Sequence, residues 1–251
     1  MTVKNITSRD NRKVCETKKL LKKKYRDETG LFLLEGERLV FDAFQKGVSF
    51  QQVFARKEYF EQGITGLECY ETDDKILSDL SDTCHSQGII AVAKQWENTL
   101  DSIDISKPVA VCDGLSDPGN LGTVIRTADA AGFGGVVLLG DCVDVYSPKV
   151  VRSTMGALFD LPIVKVKHVD ELKLFHLVCA DLNQAVSIYE FDFTKPFALV
   201  VGNEAHGVSR EVSDAASAKI TIPMIGKSES LNAAVAFGVA AYEAFRQRNI
   251  K

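Results

Sequence analysis

Apolar residues in the C-terminal half fall into short unbroken runs, separated by stretches with helical spacing. The runs Val109–Cys112, Gly135–Leu139, Ile163–Lys165, Leu177–Ala180, Ala198–Val201 and Ile220–Ile222 predict strands. Between them, helices are predicted at about Leu121–Ala131, Val150–Ala157, Val169–Lys173, Ser209–Ser217 and Leu231–Gln247. Continuous apolar strands alternating with helices imply a parallel sheet covered on both faces. The N-terminal third alternates on a smaller scale. Strands are predicted at Leu31–Glu35, Gln52–Ala55, Leu67–Tyr70 and Gly88–Ala93. Helices are predicted from Ser8 or Asp10 to about Arg26, and at Glu37–Lys46, Lys57–Gln62 and Asp73–Leu80, the last capped by Asp73 or Thr72. This pattern predicts a small α/β domain with a mainly parallel or mixed sheet. Residues 94–108 turn polar and read as a connection. The predicted domains are therefore 1–95, a linker at 96–107, and 108–251.

Ligands of parallel α/β sheets gather at the carboxyl ends of the strands. Three loops there carry glycine and polar residues: 113–122, 202–208 and 223–232. In the first, a turn cluster leads to Asn120 as the predicted N-cap of a helix that projects Arg126 from a small, apolar surface. In the second, Gly202 and Gly207 flank Asn203 and Glu204, which read either as ligand contacts or as caps of the following helix. In the third, Ser230 reads as the cap of a long helix, whose N-terminus also suits an anion. His206 reads as an exposed loop residue. No Walker A sequence or Gly-x-Gly-x-x-Gly fingerprint is present. The residues by themselves point to an α/β enzyme with a three-loop site and leave its chemistry open.

Of 251 residues, 45% are hydrophobic and 25% charged, as in a soluble globular protein. No apolar run approaches the roughly 20 residues that span a bilayer, and the N-terminus lacks the apolar core of a signal peptide. The six cysteines are scattered and none has His at ligand spacing, which points to reduced cytoplasmic thiols and no metal. The net charge of −4 is unevenly spread: residues 1–26 hold ten Lys and Arg against two acids, leaving −12 for the rest. Such an arm suits a polyanion, and its alternative is a solvated helix face.

Three segments carry a resemblance: Asn120–Gly132, Gly202–Gly207, and Ile222–Met224 with Ser230-Leu231-Asn232. In order, they resemble the motifs of the SpoU-type (TrmH-like) RNA 2′-O-ribose methyltransferases. The segment Pro148–Pro162, with Arg152-Ser-Thr-Met-Gly-Ala157, is similar to that family too. Residues Phe32–Arg38 resemble the substrate-binding domain of its rRNA-modifying members. The resemblance implies a C-terminal α/β trefoil-knot (SPOUT) domain with a parallel sheet, plus a smaller, ribosomal-protein-like N-terminal α/β domain. It implies a homodimer with sites at the subunit interface, and S-adenosylmethionine bound by Gly202, Ile222, Met224 and Leu231, with a further contact from the loop after Ala180. Arg126 resembles the catalytic arginine, with Asn120, Glu204, Ser230 and Asn232 holding it and the ribose in place. RNA, most directly rRNA with tRNA as another possibility, would meet Arg9, Arg12, Lys13, Lys22, Lys23, Lys24 and Arg152. The alternatives are a non-catalytic ribosome-assembly factor on the same fold, and a base methyltransferase, which the pairing of Asn120 with Arg126 disfavours.

Overall fold

A computed structural model describes residues 2–83, 86–181, 185–227 and 230–250. The chain forms two compact units: Met1–Trp96 with Asp144–Phe159, and Glu97–Val143 with Asp160–Lys251. The segment Asp144–Phe159, predicted within the C-terminal domain, thus packs with the N-terminal unit.

In that first unit the order is β1 (Val3–Ile6), α1 (Arg12–Lys19), α2 (Lys23–Thr29), β2 (Leu31–Glu35), α3 (Glu37–Gln45), β3 (Phe50–Ala55), α4 (Lys57–Glu61), β4 (Glu68–Thr72), α5 (Asp74–Leu80) and β5 (Ile89–Lys94). The sheet runs β1-β4-β3-β5-β2. β1, β4 and β3 are parallel, and β5 lies antiparallel to both β3 and β2. Asp73 caps α5 as predicted, accepting from the Ile76 amide at 3.0 Å. β1 escapes periodicity because only Ile6 of its four residues is buried. The single helix predicted to Arg26 is two helices, and α1 is capped by Asn11 rather than Ser8 or Asp10. Leu20, at the break, is buried in the core. Its carbonyl accepts from Arg26 Nη1 at 2.7 Å, a partner that replaces the helical amide. Arg26 also donates Nη2 to Asp144 Oδ2 at 2.6 Å, and both side chains are buried, at 3% and 6% exposure. One cation of the basic arm is therefore interior.

The second unit contains β6 (Val109–Asp113), α6 (Pro118–Ala130), β7 (Gly135–Leu139), β8 (Ile163–Val166), β9 (Leu177–Ala180), β10 (Val186–Ser187), β11 (Ala198–Gly202), α8 (Arg210–Ala215), β12 (Ala218–Thr221) and α9 (Ala233–Asn249), where α7 is Pro148–Ser153 of the other unit. Seven parallel strands run in the order β10-β12-β9-β11-β6-β7-β8. Every residue of β6, β7 and β11 is buried, so these strands show no alternation. One face is filled by Val109, Val111, Val137, Val200 and their neighbours. α6 and α9 pack on each other, and α9 on β11; Leu121, Val124 and Ile125 of α6 and Phe237, Ala240 and Ala244 of α9 are all buried. Phe237 meets Phe133 with ring centroids 5.4 Å apart. β6, β11 and β12 lie close together in the sheet, and their carboxyl ends carry the three loops singled out above. Two-residue β10 is too short to announce itself in sequence. Among the described residues no helix is long and apolar enough to cross a membrane.

Candidate functional site

The first loop turns at Gly114, whose φ of +63° lies in the left-handed region. Asp117, not Asn120, caps α6: its Oδ1 accepts from the Asn120 amide at 2.8 Å, and Pro118 takes the first helical position. Proline there has its φ already set and lacks an amide that would otherwise want a partner, so the helix starts three residues early. That frees the Asn120 side chain.

In the second loop Asn203 and Gly207 exchange backbone hydrogen bonds at 2.9 and 2.8 Å, closing a tight loop on the end of β11. A Cβ on Gly202 would lie 2.1 Å from the Gly207 carbonyl carbon, so only glycine fits. Asn203 Oδ1 accepts from the Ala205 and His206 amides, and its Nδ2 donates to the Gly114 carbonyl at 2.8 Å. Helix α8 is capped by Ser209. The capping roles open to Asn203 and Glu204 are therefore not used. Ser209 also donates its amide to Asp113 Oδ2 at 2.6 Å, a second tie between the first two loops.

Glu204 is the hub. Its carboxylate accepts from the Ser116 amide at 3.2 Å, Ser116 Oγ at 2.9 Å, the Asp117 amide at 3.1 Å and Asn120 Nδ2 at 2.8 Å. Partial burial opposes its ionisation. The hydrogen bonds from Asn120, its own backbone and Ser116 outweigh that opposition and hold the carboxyl at about 2. Asn120 Oδ1 in turn accepts from Asn232 Nδ2 at 2.9 Å. Asn232, not Ser230, is the cap of α9, with Oδ1 accepting from the Ala234 and Val235 amides.

Beside this chain lies a cavity of about 540 Å³, a size that suits a small-molecule ligand. Gly202, Ile222, Met224 and Leu231, the four residues expected to hold cofactor, all line it, as do Glu204 and Ser230. Ala233, Ala236 and Ala240 of α9 give it a floor of small side chains. Sequence reasoning missed Ser116 and Asp117 as partners of Glu204. Asp181, the first residue of the loop after Ala180 expected to touch the cofactor, lines the cavity at the end of β9 and pairs with Lys219 at 3.3 Å. Residues 182–184 of the loop after Ala180, together with Ser228 and Glu229, lie outside the described residues.

Arg126 sits on the exposed face of α6 with Thr123 and Ala130. Within the chain, Asn120, Glu204 and Asn232 bond to one another and not to Arg126, which has no hydrogen-bond or ion-pair partner among the described residues. The expected RNA-binding residues of the arm are exposed apart from half-buried Lys13, and most sit beside acids: Arg9 with Asp79 at 3.0 Å, Arg12 with Glu16 at 2.6 Å, Lys13 with Glu68 at 2.6 Å, Lys23 with Asp27 at 2.6 Å and Lys24 with Glu28 at 3.8 Å. Lys22 is exposed without such a partner among the described residues. Arg152 is engaged differently, clamped to Glu35 at 3.2 Å and Asp82 at 2.9 Å. Exposed pairs of this kind are worth little and give way readily to another anion, whereas Arg152 holds a buried carboxylate.

Residues 107–242 match the family model of the SpoU rRNA methylase family, and residues 11–91 match the MRM3-like substrate binding domain. The chain is 36% identical over 247 residues to the 23S rRNA (guanosine(2553)-2′-O)-methyltransferase RlmP of Bacillus subtilis, covering 96% of this chain and 98% of the relative. It is also similar to the 23S rRNA (uridine(2479)-2′-O)-methyltransferase of Streptomyces viridochromogenes, at 37% identity over 64% of this chain and 60% of that one. Among solved structures, the S-adenosylmethionine-bound rRNA methyltransferase from Sinorhizobium meliloti superposes with a TM-score of 0.90 at 33% identity, covering 99% of both chains. The fold is accordingly that of the SPOUT methyltransferases, with a smaller α/β domain ahead of it. With its family match reaching across the three-loop cavity and its likeness extending end to end, the chain belongs to the SpoU rRNA methylase family.

Proposed function

We propose that this protein transfers the methyl group of S-adenosylmethionine to a ribose 2′-hydroxyl of RNA, with rRNA as the substrate. The observation that carries this reading is the cavity at the carboxyl ends of β11 and β12. Its walls are Gly202, Ile222, Met224 and Leu231, and it lies beside the Asn232–Asn120–Glu204 chain. A glycine at position 202, which leaves the strand end without a side chain, and a floor of alanines suit a flat adenosine pressed against backbone.

Gly202, Ile222, Met224 and Leu231 would hold S-adenosylmethionine, which would supply an electrophilic methyl group to the ribose oxygen with a neutral thioether as the leaving group. What the protein must add is alignment and a means of easing loss of the hydroxyl proton. Arg126 is the residue for the second task. A guanidinium stays protonated, so it acts by clamping a neighbouring phosphate and stabilising negative charge that develops on the 2′-oxygen. Asn120, Glu204, Ser230 and Asn232 shape the site around it.

Arg126 has no partner in its own chain among the described residues, which fits a site completed by a second copy. We take the homodimer to form through the exposed faces of α6 and α9. α9 exposes Val235 and Tyr242 at 51% each, an apolar stripe unusual on a solvated helix. Residues 1–95 are assigned to RNA recognition, 96–107 to the linker and 108–251 to methyl transfer, in the cytoplasm. Arg9, Arg12, Lys13, Lys22, Lys23 and Lys24 supply the cationic surface.

The test is methyl transfer to rRNA followed by nucleoside mass spectrometry, which is expected to yield a 2′-O-methylnucleoside. Arg126→Ala is expected to abolish transfer while calorimetry still detects S-adenosylmethionine binding. Full activity in Arg126→Ala would overturn the assignment of Arg126.

A further inference from the structure

The hydrogen bonds that join the three loops have a direction. A carboxylate offers no N–H, so the 2.8 Å contact between Glu204 Oε1 and Asn120 requires Asn120 to present its NH2 group. The Asn120 carbonyl then faces Asn232 at 2.9 Å, where only an NH2 group can meet it. That leaves the Asn232 carbonyl for the Ala234 amide at 3.0 Å and the Val235 amide at 3.2 Å. Both belong to the first turn of α9, whose amides have no intrahelical partner. Turning either carboxamide over would set donor against donor or acceptor against acceptor at every joint.

We infer that Glu204 is a positioning residue: as the acceptor-only end of this relay it fixes the amide orientation of Asn120 and, through it, of Asn232, so that the N-terminus of α9 is locked onto the first two loops. The residues carried by that N-terminus, Ser230, Leu231 and Ala233, are walls of the cavity. The relay thereby sets the shape of the pocket from a carboxylate on a different loop. It also decides what the pair of asparagines offers outward. Each NH2 group spends one hydrogen inside the relay and keeps one N–H, while the Asn232 carbonyl is fully used by two helix amides. This inference rests on the reading of the cavity as the S-adenosylmethionine site.

The competing account gives Asn232 only a helix-capping role. Asn232→Asp separates the two, because aspartate caps a helix as well as asparagine does and its charge suits the helix N-terminus. If Asn232 only caps, the substitution leaves S-adenosylmethionine affinity unchanged. If the relay operates, a carboxylate now faces the Asn120 carbonyl. Affinity measured by calorimetry on the full chain should then fall about tenfold or more, the scale set by one mispaired hydrogen bond to a charged group. The thermal midpoint is expected to stay within a few degrees.

A charge swap supplies the second arm. Asn120→Asp alone places two carboxylates in contact. Its affinity should be weak at pH 8 and recover toward pH 5.5, as the pair takes up one shared proton. Adding Glu204→Gln restores the order, with the introduced carboxamide donating to the aspartate and the aspartate accepting from Asn232. The double variant should bind more tightly than either single one and lose the acid dependence. Wild-type affinity in Asn232→Asp, or a double variant no tighter than the singles, overturns the relay. A wild-type protein that takes up no S-adenosylmethionine would instead sink the functional reading beneath it.

Discussion

An asparagine beside a helix start can cap that helix, bridge to another loop or touch a ligand, and its place in the sequence does not separate these uses. Spacing predicts Asn120 as a cap, but Asp117 holds that role because Pro118 starts the helix earlier. Released from capping, Asn120 ties Glu204 to Asn232. Glu204 carries the consequence for pH. Its carboxyl is held at about 2 against an ordinary 4.5, so its contribution is complete above about pH 4.5 and disappears only as pH falls through about 2. S-adenosylmethionine affinity should therefore be flat between pH 5 and 8 as far as this group is concerned. A calorimetric series showing a break near pH 6 would assign the relay to another group. Gly202 allows an equally local prediction. Gly202→Ala drives a methyl group to 2.1 Å from the Gly207 backbone, where no flexible side chain can yield. The second loop must shift, at a cost of about 1–3 kcal/mol of stability by chemical denaturation, and cofactor binding should be lost with it.

Helices show where periodicity succeeds and where it stops. Apolar spacing finds both α6 and α9, within a few residues of their ends. Spacing marks which positions are apolar, not which of them face the interior of this chain. On α9, Phe237, Ala240 and Ala244 are buried while Val235 and Tyr242 are exposed, and all five are apolar or aromatic. Leaving such a stripe in water forgoes about 25 cal/mol per Å², so a second copy of the chain is its expected cover. Val235→Asp with Tyr242→Asp should convert a dimer into a monomer in sedimentation velocity, with transfer activity lost alongside, since the site is proposed to need both copies. A variant that sediments like the wild type would place the interface elsewhere. The break between α1 and α2 has the opposite lesson. Nothing in the run from Arg12 to Arg26 forbids a continuous helix. The buried Leu20 and the guanidinium of Arg26, aimed at its carbonyl and at Asp144, decide against one.

At the scale of the whole molecule, charge is the property that sequence reads best and places worst. The count over residues 1–26 treats all ten cations alike. The structure sets a buried Arg26 apart from several cations beside acids and from exposed ones such as Lys22. Because the exposed pairs are weak, phosphates should displace the acids and let Lys23 and Lys24 join Lys22. Replacing Lys22, Lys23 and Lys24 by Ala together should weaken RNA binding and lower the slope of log affinity against log salt by about 2–3. An unchanged slope would leave the arm as a solvated face. Arg152 is a different case: its bonds to Glu35 and Asp82 give it a task within the first unit.

Local patterning was enough to establish the α/β class, the order of nearly every strand and helix, and the three loops that meet at the candidate site. Those features follow from periodicity and from strands buried on both faces, which any window of the chain displays. The short β10 and the polar β1 were hidden for the same reason, since neither shows a period. Which groups the loop residues bond to was settled only in three dimensions. Glu204 lies 84 positions from Asn120, and Asn232 a further 28 beyond Glu204, yet they form one hydrogen-bonded chain. Their partnership is set by three parallel strands that end at the same edge of the sheet. The direction of every bond in it then follows from a single carboxylate that can only accept.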